Sequence, residues 1–310
     1  RQHIVPVPIE RVLVLGASGD QGLPLVAALL DYGLTPIAGV RRLDAMKATP
    51  YSDMPVISAD IMDQASLELA FSQVDAVAMH LPFEFNVDIA AEFGRNIAAA
   101  AASSGLKKIV FNTSCYVADT DLGVGGHDGR RRIEASLREC GVDYVILRPA
   151  VFMDNMIRVW CKPTIVHKDT FVYPAKEDLK VSWICLDDLA KLSAYAAVTR
   201  DLKNKTITVG GPEALTGFQI AEKISDVSGR SIKFKSISPT TFAQNMSELV
   251  TGSRELEPRS IYNGMASFYS WYNEQAVSPL NVDPQGFEDL LPVKLTTYDE
   301  WAARQDWSTV

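Results

Sequence analysis

Residues 11–22 read RVLVLGASGDQG, and the fold turns on this stretch. Arg11 to Leu15 is a short β-prone apolar run that feeds directly into three spaced glycines, Gly16, Gly19 and Gly22. A helix follows from Gly22 to Tyr32. Its Pro24 is tolerated because the first helical turn needs no amide donors, and Gly33 is placed to cap its C-terminus. Thr35 to Val40 is the next strand, which completes a strand, helix, strand unit. A bare turn between strand and helix rarely requires three spaced glycines, whereas a pyrophosphate site does. Glycines let the backbone come close to the phosphates, and the helix N-terminus supplies amide donors and a favourable dipole. The expected loop contacts to a dinucleotide are Gly16, Ser18, Gly19, Asp20, Gln21 and Gly22.

Working outward, further short apolar runs predict strands at Pro55–Ser58, Ala76–His80, Lys108–Asn112 and Val142–Leu147, with a long helix over Asp88–Ser104. This rhythm predicts an α/β fold, a Rossmann-type doubly wound parallel sheet. Past Pro149 the pattern loosens. Val181–Cys185 and Lys205–Val209 read as returns to the sheet, with a helix opened by Asp187 or Asp188 between them. Thr216 caps a helix that Gly229 stops, Ile232–Ile237 alternates as a strand, and the remainder reads as helical. The domain reading is therefore a dinucleotide-binding unit of residues 1–155 plus about 181–212. A smaller mixed α/β C-terminal lobe of residues 156–180 and 213–310 would bind substrate.

Composition narrows the partner class. The 310 residues carry 30 Lys and Arg against 38 Asp and Glu, a formal charge of -8, so no nucleic-acid contact is expected, since that needs clustered positive charge. Cys115, Cys140, Cys161 and Cys185 stand singly, without a CxxC pair. They read as buried thiols of a reducing, cytoplasmic compartment rather than as disulfides or metal ligands. The opening RQHIVPVPIERVLVLG lacks the form of a signal peptide, and no apolar run reaches membrane-span length, so no membrane partner is expected. A small molecule becomes the default partner.

The cofactor is expected to be NADP(H). Where an NAD-selective site places an acid after the second strand, this chain has Arg41-Arg42, and guanidinium groups suit a 2′-phosphate. The plainer reading is a solvated basic turn, and Asp20 is a counter-signal, since its charge could lie near that phosphate. Asp60 is placed to accept from the adenine amino group, unless it merely serves the helix beginning near Asp63. Ile61, Leu81, Pro82 and Thr113, all just past strand ends, complete the expected cofactor contacts.

These stretches, together with SADIMDQASLELAF, RRRIEASLRECGVDYVILRPAVFMDN, VSWICLDDLAKLSA, LTGFQIAEKISDVSGR and TTYDEWAARQDW, resemble the NmrA-like, isoflavone-reductase-like branch of atypical short-chain dehydrogenases. The resemblance spans almost the whole chain. It implies a Rossmann domain, an NADP-type cofactor and a cleft beside a small lobe. It also exposes a departure. Short-chain dehydrogenases use a Tyr-xxx-Lys pair for proton transfer. Counting back from Glu134, the lysine position holds Arg130 and the tyrosine position holds Gly126, and Gly123–Asp128 contains no lysine. Arginine is no proton shuttle at neutral pH.

Other groups near strand ends must therefore be weighed. Ser114 falls where relatives place a catalytic Ser or Thr, though a post-strand Ser is often a backbone cap. Tyr116 is a candidate proton donor, though such a ring is more often simply packed. His127, in the glycine-rich run Gly123–Gly129, reads as a loop residue that titrates near neutrality. Those three are the catalytic candidates. His80, Phe152, Asn155, Trp160 and Trp183 are the substrate candidates, and no metal is expected. Tyr262, Met265, Tyr269 and Tyr272 form a partial helical stripe that suits a core or a homodimer contact better than a substrate wall, yet any pocket here should be aromatic.

The leading functional reading is NADP(H)-dependent reduction of a C=C or C=O group on an apolar, aromatic small molecule. The alternatives are an NADP-binding redox sensor without catalysis, and a non-redox lyase or isomerase on the same fold.

Overall fold

The computed structural model describes residues 8–310. Residues 1–7, which open both the N-terminal run read above for a signal peptide and the dinucleotide unit, lie outside the described residues. Seven parallel strands form the main sheet: β1 (Arg11–Leu15), β2 (Thr35–Val40), β3 (Val56–Ser58), β4 (Ala76–Met79), β5 (Lys108–Asn112), β6 (Asp143–Pro149) and β8 (Lys205–Val209). Their order is β3-β2-β1-β4-β5-β6-β8, so the direction of winding reverses between β1 and β4. Such a switch point opens a crevice at the C-terminal strand ends, and the glycine loop emerges there.

The central strands β1, β4 and β5 are buried over most of their length because both faces are covered. Val12 and Val14 pack to one side with Leu25, Val26 and Leu29 of α1 (Gly22–Asp31) and Leu189 of α6 (Leu186–Val198). Leu13 and Leu15 pack to the other with Leu67 of α2 (Gln64–Phe71), Ile97 of α3 (Val87–Ser104) and Ile133 of α4 (Gly125–Glu139). Local signals set the helix ends. Asp63 caps α2 by accepting from the amides of Ala65 and Ser66, and Gly105 ends α3 at a φ of 76°.

The lobe holds a two-stranded parallel sheet of β7 (Thr170–Tyr173) and β9 (Lys233–Ser236). Around it lie α5 (Lys162–Lys168), α7 (Gly217–Ser228), α8 (Pro239–Thr251), α9 (Ile261–Glu274) and α10 (Tyr298–Ala303). Thr216 and Gln219 close a capping box on α7, and Gly229 stops it.

Two expectations need correction. Val181–Cys185 is not a strand of the sheet. Its backbone bonds go to loops, with Val181 paired to Leu215, Ser182 donating to the Leu280 carbonyl and Ile184 to that of Val151. Gly123–Gly129 is not a loop throughout, for α4 begins at Gly125. The glycines serve close packing there, since a Cβ on Gly125 would lie 2.2 Å from the Phe85 carbonyl oxygen. Phe287 and Leu291, late in the chain, pack in the same cluster as residues of the main sheet.

Candidate functional site

The glycine loop forms a tight cradle. A Cβ on Gly22 would stand 2.1 Å from the Gly16 carbonyl oxygen, and Gly16 itself has φ +73° with His80 Cε1 2.9 Å from where its Cβ would be. His80 thus packs against the loop. Burial, reinforced by the positive charge of Arg130, lowers its pKa to about 4, which leaves the ring neutral. It is not among the residues lining the large cavity described below, where it was expected as a substrate contact. Ser18 is exposed at the loop, and Asp20 is held by Arg158 at 3.0 Å. Arg41 and Arg42 are exposed beyond β2, with Arg42 3.4 Å from Asp44. One Asp60 oxygen accepts from the Met62 amide at 2.9 Å, and the Ile61 carbonyl accepts from Asn96 at 3.0 Å.

Two non-glycine residues at the ends of central strands adopt left-handed backbone, Leu81 at φ 63° and Ser114 at φ 62°. Each such residue costs on the order of 1 kcal/mol, a strain that clusters at functional sites. Leu81 is buried and Pro82 exposed. Ser114 is fixed by a polar knot. Its amide donates to Asn112 Oδ1 at 2.8 Å, Asn112 Nδ2 donates to Gln21 Oε1 at 2.9 Å, and Gln21 Nε2 donates to Ser114 Oγ at 3.1 Å. The dinucleotide loop is thereby tied to the end of β5. Sequence reading found Gln21 and Ser114 but passed over Asn112, whose only signal is a polar residue closing an apolar strand. The Thr113 hydroxyl turns inward to the Cys115 carbonyl at 2.7 Å, and the residue is fully buried, so its side chain does not meet a cofactor.

Beyond Ser114 opens a cavity of about 380 Å³, walled by the ends of β5 and β6 on one side and by α8 and α9 on the other. Phe152, Asn155 and Trp160 line it, as expected of substrate contacts. Trp183 does not; it is buried behind the wall against Tyr173, ring centroids 5.3 Å apart. The α9 stripe faces the cavity, with Tyr262, Met265, Phe268, Tyr269 and Tyr272 all in its lining. Phe83, Tyr173, Phe242 and Met246 also line it and were not singled out from sequence, because strand β7 and the packing of α8 were not legible there. The Tyr173 and Tyr269 hydroxyls bond to each other. At the mouth, Val159, Leu249, Val250 and Ile261 are exposed.

The two positions counted back from Glu134 hold Gly126 and Arg130. A Cβ on Gly126 would meet the Phe268 ring at 2.4 Å, so no side chain fits there. Arg130 is buried, lies 4.5 Å over the Phe83 ring and donates to the Leu81 carbonyl at 2.9 Å. Burial lowers its pKa only to about 10, so it stays charged. One turn on, fully buried Glu134 takes two hydrogen bonds from Arg148, at 2.7 and 2.9 Å.

His127 and Tyr116 stand behind the cavity wall. His127 Nε2 is 2.9 Å from the Tyr272 hydroxyl, and its ring stacks on Phe268 at 4.3 Å. Burial lowers its pKa to about 3, so the expected titration near neutrality does not occur. Half-buried Tyr116 stacks on Trp271 at 5.4 Å, and burial raises its pKa. All four cysteines are free, and burial pushes the cavity-lining Cys115 up to about 12. Among the described residues no group of three His, Cys, Asp or Glu is arranged to hold a metal, and no helix is long and apolar enough to cross a membrane.

The sequence matches the model of the NmrA-like family over residues 8–302. Among curated proteins it is similar to an NAD(P)H azoreductase of Xenophilus azovorans, 28% identical over 84% of this chain and 86% of that one. Two solved structures share the fold. One is an Escherichia coli NADPH-dependent quinone oxidoreductase complexed with NADPH, at TM-score 0.75 and 21% identity, covering 94% of this chain and 98% of that one. The other is a Citrobacter triphenylmethane reductase complexed with NADP(H), at TM-score 0.76 and 19% identity, covering 94% and 99%.

Proposed function

From the premise that the chain belongs to the NmrA-like family, we propose that it is an NADPH-dependent reductase of apolar, aromatic acceptors of the quinone or enone type. The observation that carries this reading is the position of Ser114. Its hydroxyl is bonded into the dinucleotide loop through Gln21, and the same residue lines the 380 Å³ aromatic cavity. A loop built for a pyrophosphate and a cavity built for a flat apolar molecule therefore meet at one side chain. The names of the similar azoreductase, quinone oxidoreductase and triphenylmethane reductase support the same reaction class.

The cradle fits a dinucleotide, because the space that a Cβ on Gly16 or Gly22 would occupy is needed by neighbouring backbone and His80. Gly16, Ser18, Gly19 and Gln21 would hold the pyrophosphate with the N-terminus of α1. Arg41 and Arg42 would take the 2′-phosphate, with Asp20 drawn away by Arg158. Asp60, Ile61, Leu81 and Pro82 would flank the cofactor. When bound, a reduced nicotinamide supplies hydride.

The chain itself holds the acceptor between aromatic walls, excludes water and polarises an oxygen through Ser114 or Asn155. Arg130 cannot give up a proton and His127 is neutral, so neither replaces the absent pair. A reaction on an electron-poor acceptor suits such a site, since hydride transfer then carries most of the barrier. The test is to mix purified protein with NADPH and a panel of quinones, enones and azo dyes while following the nicotinamide absorbance. Consumption of NADPH with a quinone is the expected result. Tight NADPH binding with no acceptor reduced favours the sensor reading instead.

A further inference from the structure

The large cavity is almost wholly apolar, and several of its polar groups are already bonded to one another or to groups behind the wall. The Tyr272 hydroxyl is bonded to His127 Nε2, and the Ser114 hydroxyl to Gln21. Tyr173 of β7 and Tyr269 of α9 bond to each other, although they come from distant parts of the lobe, 96 residues apart. Asn155, after β6, lines the same cavity as the phenol pair. Two phenols carry two protons, and their mutual bond uses one. Either hydroxyl can be the donor of that bond, and when Tyr173 donates to Tyr269 the Tyr269 proton is left over at the cavity lining. Burial raises the pKa of both phenols well above the ordinary value, so both keep their protons throughout the physiological range. A buried donor with no acceptor costs free energy unless something in the cavity takes the bond.

We propose that Tyr269, positioned by Tyr173, is the specificity-determining donor that binds a carbonyl-type oxygen on an otherwise apolar ligand. The cavity then distinguishes a ketone or quinone from a hydrocarbon of the same shape, because only the oxygen-bearing ligand satisfies the spare proton. This inference rests on reading the cavity as the substrate site, and it adds the chemical feature by which the substrate is recognised.

The experiment measures binding rather than turnover. The full-length protein, saturated with NADP⁺, is titrated with menadione and with 2-methylnaphthalene while intrinsic fluorescence is followed, for wild type, Tyr269→Phe and Tyr173→Phe. Wild type is expected to prefer menadione. Tyr269→Phe should weaken menadione about 5- to 50-fold, the size of one buried hydrogen bond, and leave the hydrocarbon unchanged. Tyr173→Phe keeps the donor but loses its positioning partner, so a smaller loss confined to menadione is expected. Unchanged NADP⁺ affinity and thermal unfolding midpoint in both variants show that the fold is intact.

An equal loss for both ligands, no loss for either, or failure of wild type to bind menadione would overturn the proposal. The reading of the protein as a reductase can fail separately. If no acceptor is reduced but the Tyr269 effect on menadione holds, the donor stands without the activity. If menadione is reduced and Tyr269→Phe leaves its KM unchanged, the activity stands without the donor.

Discussion

The two walls of the cleft are built on different physics. On the sheet side, strand ends and the starts of helices bring polar groups together, and nearly every one is bonded to another: Gln21, Asn112 and Ser114 in a ring, Glu134 to Arg148, Arg130 to the Leu81 carbonyl. On the lobe side, α8 and α9 present rings and methionines, with the Tyr173–Tyr269 pair as the polar exception. The sheet wall has the fixed, charged character that a phosphate-bearing cofactor needs. Arg130 and Gly126, at the seam, belong to the packing of both walls.

The sharpest way to break the sheet side is through its buried charge. Replacing Glu134 with Gln removes the buried partner of Arg148 and leaves it only the exposed Asp119, and breaking such a buried pair costs about 3–5 kcal/mol. Chemical denaturation should show the midpoint falling with the slope unchanged. A stable variant would mean that the Arg148 charge is satisfied by Asp119 alone.

Next in size is the cofactor choice. Exchanging Arg41 and Arg42 for Ala should weaken NADPH about 10- to 100-fold while NADH changes little, since charge-assisted hydrogen bonds contribute about 1.5–3 kcal/mol. Equal losses for both cofactors would separate these arginines from the 2′-phosphate. Acceptor binding on the lobe wall should not change.

A smaller effect sharpens the seam between the walls. His127 and His80 are neutral in the fold, with pKa values lowered to about 3 and about 4 from an ordinary value of 6.5. The unfolded chain protonates first, so the stability they contribute is fully present above pH 6.5 and is lost as pH falls from there toward 4 and 3. Each contributes a slope of at most about 1.4 kcal/mol per pH unit. Unfolding free energies measured between about pH 6.5 and 4.5, above most carboxylate titrations, should show this decline, and His127→Gln should reduce its slope. An unaltered slope would mean that His127 is solvated.

The smallest expected effect is at Tyr116. Tyr116→Phe keeps the stack on Trp271 and removes a hydroxyl that stands behind the wall, so turnover should change less than about 2-fold. A tenfold loss would bring Tyr116 into the reaction.

Legibility followed the same division. The sheet wall was readable because its signals are local: three glycines between Leu15 and Leu23, alternating strands and helices, caps at Asp63 and Thr216. Ser114 could be found by its place after a strand. The lobe wall depends on contacts between residues far apart, such as Tyr173 and Tyr269, which carry no local pattern. The α9 stripe was visible as a stripe, but whether it met core or cavity was set by α8 and by the ends of β5 and β6. Val181–Cys185 misled because its β-branched and aromatic residues suit any extended segment, including one bonded only to loops. The glycines from Gly123 to Gly129 misled for a related reason. Glycine signals a turn and a close approach equally, and here Phe85 and Phe268 require the close approach.

The central claim is a reductase whose cavity carries no acid or base titrating near neutrality. The most direct test follows the hydride-transfer step itself, by rapid mixing of NADPH-bound protein with menadione across about pH 5.5 to 8.5. The account predicts a rate constant that is flat across this range, because burial lowers the His127 pKa to about 3 and raises those of Tyr173, Tyr269 and Tyr272. A sigmoidal or bell-shaped profile with an apparent pKa between about 6 and 8 would contradict it, by revealing a working proton donor among the groups this structure holds neutral or fixed in charge.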